Sequence, residues 1–141
     1  MNLTMMKCKI HRATVTDADL NYEGSVSIDP ALIKEAGLLV NERVDIYNCH
    51  NGARFSTYVI EGRKGEICLN GAAARHVQKG DLVIIVAYCS MTEAEARKHL
   101  PKVVFVNEKN KSVKIKSSEN NFELQNKKDK MNLKNKSLRS H

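Results

Sequence analysis

Apolar residues in this chain come in short runs, each closed by a turn signal, so the sequence favours many short strands over long helices. Residues 6–13 alternate polar and apolar side chains and predict a strand, while the polar stretch 16–21 predicts a turn. Residues 26–28 read as a further short strand. Asp29 is a good N-cap, Pro30 suits a first helical position and Gly37 a helix stop, which together predict a short helix over 30–36. Residues 44–48 and 53–60 predict strands joined through Asn51-Gly52, a strong hairpin signal. Another short strand is expected over 66–69, and Asn70-Gly71 opens a turn that enters a helical turn. Lys79-Gly80-Asp81 then feeds the most apolar run, 82–89. Thr92 and Glu95 have capping-box spacing and start a helix that runs to about residue 99. Pro101 ends it, and 102–106 predict a last strand. Many short strands with two small helices imply a compact β-barrel with Greek-key or psi-type crossings.

A chain of 141 residues, 42% apolar, supports one domain with a modest core, filled by aliphatic side chains because only 5% are aromatic and none is Trp. The net charge of +7 is concentrated at one end. Residues 107–141 hold ten Lys or Arg against four Asp or Glu, and residues 1–106 hold thirteen against twelve. The domain is therefore expected over 1–106, nearly neutral, and 107–141 read as a basic, Asn- and Ser-rich tail that is disordered. Such a tail is attracted weakly to anionic surfaces, but the body has no basic face for nucleic acid. Cys8, Cys49, Cys68 and Cys89 form no CxxC pair, and no His spacing completes a metal site, so no metal is expected and the thiols read as small buried side chains in a reducing compartment. The N-terminus lacks a signal-peptide layout and no run approaches membrane-spanning length, which points to the cytoplasm.

Against this frame, Tyr22-Glu23-Gly24-Ser25 is the stretch with chemical potential. Glycine admits strained or left-handed backbone, and its carbonyl can be approached closely. A serine hydroxyl directly after it can attack that carbonyl, giving an ester by an acyl shift from nitrogen to oxygen. Elimination and hydrolysis would then leave a pyruvoyl group at position 25. Most Gly-Ser pairs are only loops closing on strands, so this reading needs other residues to support it.

Those residues are present. Lys9-Ile10-His11-Arg12-Ala13, Ala18-Asp19-Leu20-Asn21-Tyr22-Glu23-Gly24-Ser25, Ile28-Asp29, Asn51-Gly52-Ala53-Arg54-Phe55-Ser56-Thr57-Tyr58, Asn70-Gly71-Ala72-Ala73-Ala74-Arg75 and Gly80-Asp81-Leu82-Val83-Ile84-Ile85 occur in order over residues 1–106. Together they resemble the pyruvoyl-dependent aspartate 1-decarboxylases, enzymes that make β-alanine for pantothenate and coenzyme A biosynthesis. The resemblance implies a mainly β fold, a double-psi β-barrel with short helices. It further implies a homotetramer with active sites between subunits, and an inactive zymogen that cleaves itself between Gly24 and Ser25, with or without a helper protein. Nothing is carried onto the tail, which is longer and more basic than the family's usual ending.

Decarboxylation of an amino acid leaves electrons on the α-carbon that no ordinary side chain accepts, so an electron sink is required. The resemblance implies that it is a covalent pyruvoyl group derived from Ser25, which forms a Schiff base with L-aspartate; neither PLP nor a metal is needed. Arg54 is the candidate for a substrate carboxylate, because a guanidinium fork matches it bidentately. Thr57 and Tyr58, adjacent on a strand, face opposite sides. The resemblance implies that Tyr58 is the proton donor to the α-carbon, a role open to a phenol at neutral pH, and that Thr57 binds substrate with a further role beside the cleavage site. It implies that the backbone of Gly71, Ala72 and Ala73 binds substrate and that Lys9 sits near its carboxylates. Asn70 is placed to orient the Gly24 carbonyl or the substrate, Tyr22 to position the cleavage loop, and His11, on the face of Lys9, reads as structural. Taken singly, each has a plainer reading: an exposed strand arginine, a half-buried tyrosine, a turn followed by a helix start.

A competing reading is a swapped-hairpin β-barrel DNA-binding protein, which Ile28-Asp29-Pro30-Ala31-Leu32-Ile33-Lys34-Glu35-Ala36-Gly37 resembles locally. It leaves the joint occurrence of Gly24-Ser25, Arg54 and Tyr58 without a reason, and the balanced charge of the body argues against it.

Overall fold

The computed structural model describes residues 1–117 and is mainly β. Its strands are β1 (Asn2–Thr14), β2 (Asp17–Asp19), β3 (Ser25–Ile28), β4 (Arg43–Asn48), β5 (Arg54–Glu61), β6 (Ile67–Asn70), β7 (Leu82–Thr92), β8 (Lys102–Val106) and β9 (Ser112–Lys116). Two short α-helices, α1 (Pro30–Ala36) and α2 (Glu93–Lys98), and a 3-10 helix over Gly71–His76 complete it. The strands hydrogen-bond in the order β2-β6-β3-β5-β4-β7-β1-β8-β9. Parallel pairs β1–β8, β2–β6 and β3–β5 are interleaved with antiparallel ones. Parallel neighbours need crossover connections, and this mixture is consistent with the double-psi barrel. The core is aliphatic, with Ile10, Ile28, Leu32, Ile46, Ile67, Leu69 and Ile85 all almost fully excluded from solvent. No helix of the described residues is long and apolar enough to cross a membrane.

Local signals account for the elements that frame the site. Asp29 caps α1 by accepting from the Ala31 N–H at 2.8 Å, and its second oxygen accepts from the Gly65 N–H at 2.8 Å. Gly37 closes the helix in the left-handed region, φ 76°. The Thr92–Glu95 capping box forms as expected and starts α2. At the hairpin, the Asn51 side chain accepts from the Ala53 N–H and Gly52 turns with φ 74°. Asn48, buried behind this turn, donates to the His76 carbonyl at 3.1 Å and to Asp81 at 2.8 Å. The β4–β5 hairpin thus grips the end of the 3-10 helix.

Two elements differ from the sequence reading. Residues 17–19, expected within a turn, form β2, whose partners are the distant Cys68, Leu69 and Asn70. The sheet also continues past residue 106: Asn107 and Asn110 form a turn, and β9 pairs antiparallel with β8 as far as Lys116. The start of the stretch expected as a tail is therefore a strand in a basic sequence, with alternating Val113 and Ile115. The rest of that stretch, 118–141, lies outside the described residues. Asn110, 1% exposed, locks this turn to the barrel. Its Oδ1 accepts from the Thr14 N–H at 2.7 Å, and its Nδ2 donates to the carbonyls of Thr14 at 2.8 Å and Gly65 at 2.9 Å. Replacing Asn110 by Ala strands these groups and leaves a non-glycine residue at positive φ, so a loss of about 2–4 kcal/mol is expected. Urea unfolding of the variant measures it, and a midpoint equal to the wild type would refute the clasp.

Candidate active site

Ser25 begins β3 and is 1% exposed. It pairs with Asn70 at the end of β6, and the alternation of strands puts Ser25, Ser27, Cys68 and Asn70 on one face. The Ser25 hydroxyl donates to the Glu23 carbonyl at 3.0 Å. Asn70 Nδ2 donates to Ser25 Oγ at 2.9 Å and to Ser27 Oγ at 3.0 Å. Cys68 donates its thiol to Asn70 Oδ1 at 3.2 Å. Burial first, then the carboxylates of Asp17, Glu66 and Asp19, push the Cys68 thiol up to about 11. Asn70 thus holds the serine itself, where the sequence reading had left it to the Gly24 carbonyl or the substrate.

Directly after Asn70, Gly71 takes φ 66° and lies against the loop before Ser25. A β-carbon there would stand 2.7 Å from Gly24 Cα, 2.8 Å from Gly24 N and 3.1 Å from the Tyr22 carbonyl oxygen. Gly24 itself is not in the left-handed region and a β-carbon on it would meet nothing within 4 Å. The close approach that the sequence suggested for Gly24 is therefore made possible by the glycine opposite it. Ala72 is exposed and Ala73 buried beneath the same turn. Tyr22, 56% exposed, contributes through its backbone carbonyl to this contact and also lines a neighbouring open cavity.

That cavity, about 500 Å³, is lined by Asp17, Asp19, Glu61 and Glu66 against Arg63. Its charge repels a dicarboxylate, so an acidic substrate is not drawn to Ser25 from this side.

The register places Tyr58 beside Ser25. Val26 pairs with Val59 in the parallel β3–β5 ladder, and one residue back along both strands brings Ser25 alongside Tyr58. Arg54, Ser56 and Tyr58 form the exposed face of β5, while Phe55, Thr57 and Val59 face inward. Thr57, opposite Val44, thus stands on the other side of the strand from Tyr58. Arg54 lies four residues from Tyr58, about 13 Å along the strand. Its guanidinium stacks on the Tyr47 ring at 3.9 Å, and Tyr47 shares a 2.6 Å hydroxyl–hydroxyl hydrogen bond with Tyr88. This bond, and then burial, push Tyr88 up to about 12. A row of paired residues, Lys9, Val86, Asp45 and Ser56, runs across four strands. Lys9 is therefore about 14 Å from Ser56. His11 shares the outward face of β1 with Lys9 and packs edge-on against Phe105 at 5.3 Å. One chain therefore gathers Ser25, Asn70, Gly71 and Tyr58, and keeps Arg54 and Lys9 at separate places on its surface.

The family's sequence model for aspartate decarboxylase matches residues 1–113. The chain belongs to the aspartate decarboxylase family. Among its relatives are proteins named aspartate 1-decarboxylase from Bdellovibrio bacteriovorus, 77% identical over 79% of this chain and 90% of the relative, and from Campylobacter hominis, 60% identical over 80% and 99%. A third, from Caldicellulosiruptor saccharolyticus, is 55% identical over 87% of this chain and 98% of its own length. Family membership accounts for the ordered motifs. It does not by itself point to Ser27, Cys68, Tyr47 or Tyr88, which sequence reasoning missed. Cys68 and Ser27 carried a usable signal, each two residues from a site residue (Asn70 and Ser25) and therefore on its face of the strand.

Proposed function

We propose that the chain is a proenzyme that cuts itself between Gly24 and Ser25 and then decarboxylates L-aspartate to β-alanine and CO2 in the cytoplasm, supplying pantothenate and coenzyme A synthesis. The observation that carries this reading is the buried Ser25 hydroxyl held by Asn70, with Gly71 pressed on Gly24, in a member of this family. In self-cleavage, Ser25 Oγ bonds to the Gly24 carbonyl carbon, the Gly24–Ser25 C–N bond breaks, and the hydroxyl proton ends on the Ser25 nitrogen. Loss of the Ser25 α-proton then expels the Gly24 carboxylate, and one water replaces the nitrogen as ammonia. The residues present suit the formation of a pyruvoyl group: Asn70 donates to the Ser25 oxygen that must attack and then depart with Gly24.

Once formed, that group supplies the carbonyl into which the electrons left by departing CO2 are drawn. The chain's own residues do the rest. Arg54, held flat on Tyr47, binds a substrate carboxylate through paired N–H groups, and Lys9 adds positive charge. Tyr58, beside position 25, holds the proton destined for the α-carbon. The Gly71–Ala73 backbone and Thr57 complete the pocket. Because Arg54 and Lys9 stand far from Ser25 within one chain, we place each site between neighbouring subunits of a homotetramer.

An intact mass spectrum tests the reading. Fragments 1–24 and 25–141 are expected, the larger lighter by one ammonia than simple hydrolysis gives. A chain that stays whole after prolonged warming would refute unaided cleavage. Arg54→Ala is expected to cleave normally while KM for aspartate rises about tenfold to a hundredfold, the cost of a charged hydrogen-bonded pair. An unchanged KM would remove Arg54 from substrate binding.

A further inference from the structure

We infer that Cys68 is a positioning residue for self-cleavage: its thiol fixes the Asn70 amide so that Nδ2, and not Oδ1, faces the Ser25 hydroxyl. The inference rests on the self-cleavage reading above. An asparagine amide can be turned over with little change in shape, exchanging a donor for an acceptor. Here three neighbours settle its direction. Ser25 commits its own proton to the Glu23 carbonyl at 3.0 Å, so toward Asn70 it can only accept. Ser27 Oγ, 3.0 Å away, takes the second N–H of the amide. Cys68 stands at the other end, 3.2 Å from Oδ1, and donates to it. The raised thiol pKa, set first by burial and then by Asp17, Glu66 and Asp19, keeps Cys68 protonated and hence a donor. All four residues are buried, with exposures from 1% for Ser25 to 8% for Cys68, and Ser27, Cys68 and Asn70 sit at the floor of the open cavity.

The direction of the amide matters to the chemistry. As Ser25 Oγ bonds to the Gly24 carbon and its proton departs for the leaving nitrogen, negative charge builds on Oγ. An N–H aimed at that oxygen stabilises it from a site already in place. An amide oxygen in the same position would repel it and hold back the proton. Removing the thiol takes away the fixed donor at Oδ1 and lets the amide turn over or drift.

The test follows the conversion of freshly purified full-length chain into its two fragments by denaturing gel and mass spectrometry, in wild type, Cys68→Ser, Cys68→Ala and Cys68→Val. Cys68→Ser keeps a donor at the same place and is expected to cleave within about threefold of the wild type. Cys68→Ala and Cys68→Val are expected to cleave about tenfold more slowly, as a loosened near-attack geometry predicts, while melting temperatures confirm that both are folded. Two apolar variants of different volume separate loss of the donor from loss of packing. Wild-type rates in either folded apolar variant would overturn the inference, as would slow cleavage in Cys68→Ser. A wild-type chain that never cleaves refutes the unaided cleavage of the reading above, and this inference with it.

Discussion

Ser25→Ala is expected to remain a single chain of 15.8 kDa and to show no measurable decarboxylation. The substitution removes one buried oxygen, and with it both the nucleophile for chain cleavage and the leaving group whose elimination opens the route to the electron-accepting carbonyl. Without such an acceptor the α-carbanion has nowhere to delocalise, and no neighbouring side chain substitutes for it. The fold should tolerate the change. Asn70 loses one acceptor but keeps Ser27 and Cys68, so a cost of about 1–3 kcal/mol is the upper scale for the unpaired N–H. Mass spectrometry and CO2 release from labelled aspartate check the two halves together. Activity in an uncut Ser25→Ala chain would refute the entire chemical reading.

Gly71→Ala is expected to be nearly as severe, although it removes no chemical group. The new methyl would sit 2.7 Å from Gly24 Cα and 2.8 Å from Gly24 N, distances at which backbone must move. The residue also occupies φ 66°, a region costing an L side chain about 1–2 kcal/mol. The loop that yields is the one carrying the scissile carbonyl. A displacement near 1 Å there is enough to slow attack by Ser25 about a hundredfold. Cleavage kinetics and a thermal melt of the same sample distinguish this from general instability. Wild-type cleavage at an unchanged melting temperature would show that the contact between Gly71 and Gly24 plays no part.

Much of this molecule could be read in the sequence because its signals are local. Asp29, Pro30 and Gly37 mark α1 without help from tertiary structure, and Thr92 and Glu95 do the same for α2. Asn51-Gly52 fixed the β4–β5 hairpin for the same reason. What escaped is non-local. Strand β2 has three residues, two of them aspartates, and exists because residues some fifty positions later pair with it. Strand β9 was hidden by its lysines, which suit an exposed edge as well as a solvated tail. In the site, Gly24, Ser25, Arg54, Tyr58 and Asn70 were legible through the family's motifs, but their division was not. Nothing in the order of residues says that Arg54 stacks on Tyr47 while Tyr58 stands beside Ser25. The glycine at 71 was legible as a place needing close approach, but only the folded chain shows that the neighbour approached is Gly24.

The placement of β1 and β3 has a consequence for what self-cleavage would leave behind. β1 runs between β7 and β8, and β2 pairs with β6, so both strands of a 1–24 fragment are held by strands of the remainder. β3, starting at the new end, stays between β5 and β6. The cut would therefore turn one polypeptide into two that share a single core, with no path for the smaller to leave while the barrel stands. Folding, unimolecular before the cut, would become a meeting of two solutes after it. Re-forming the barrel itself would then slow on dilution for the mature protein, whereas in the uncut Ser25→Ala chain that first step, before any subunits assemble, would not depend on concentration.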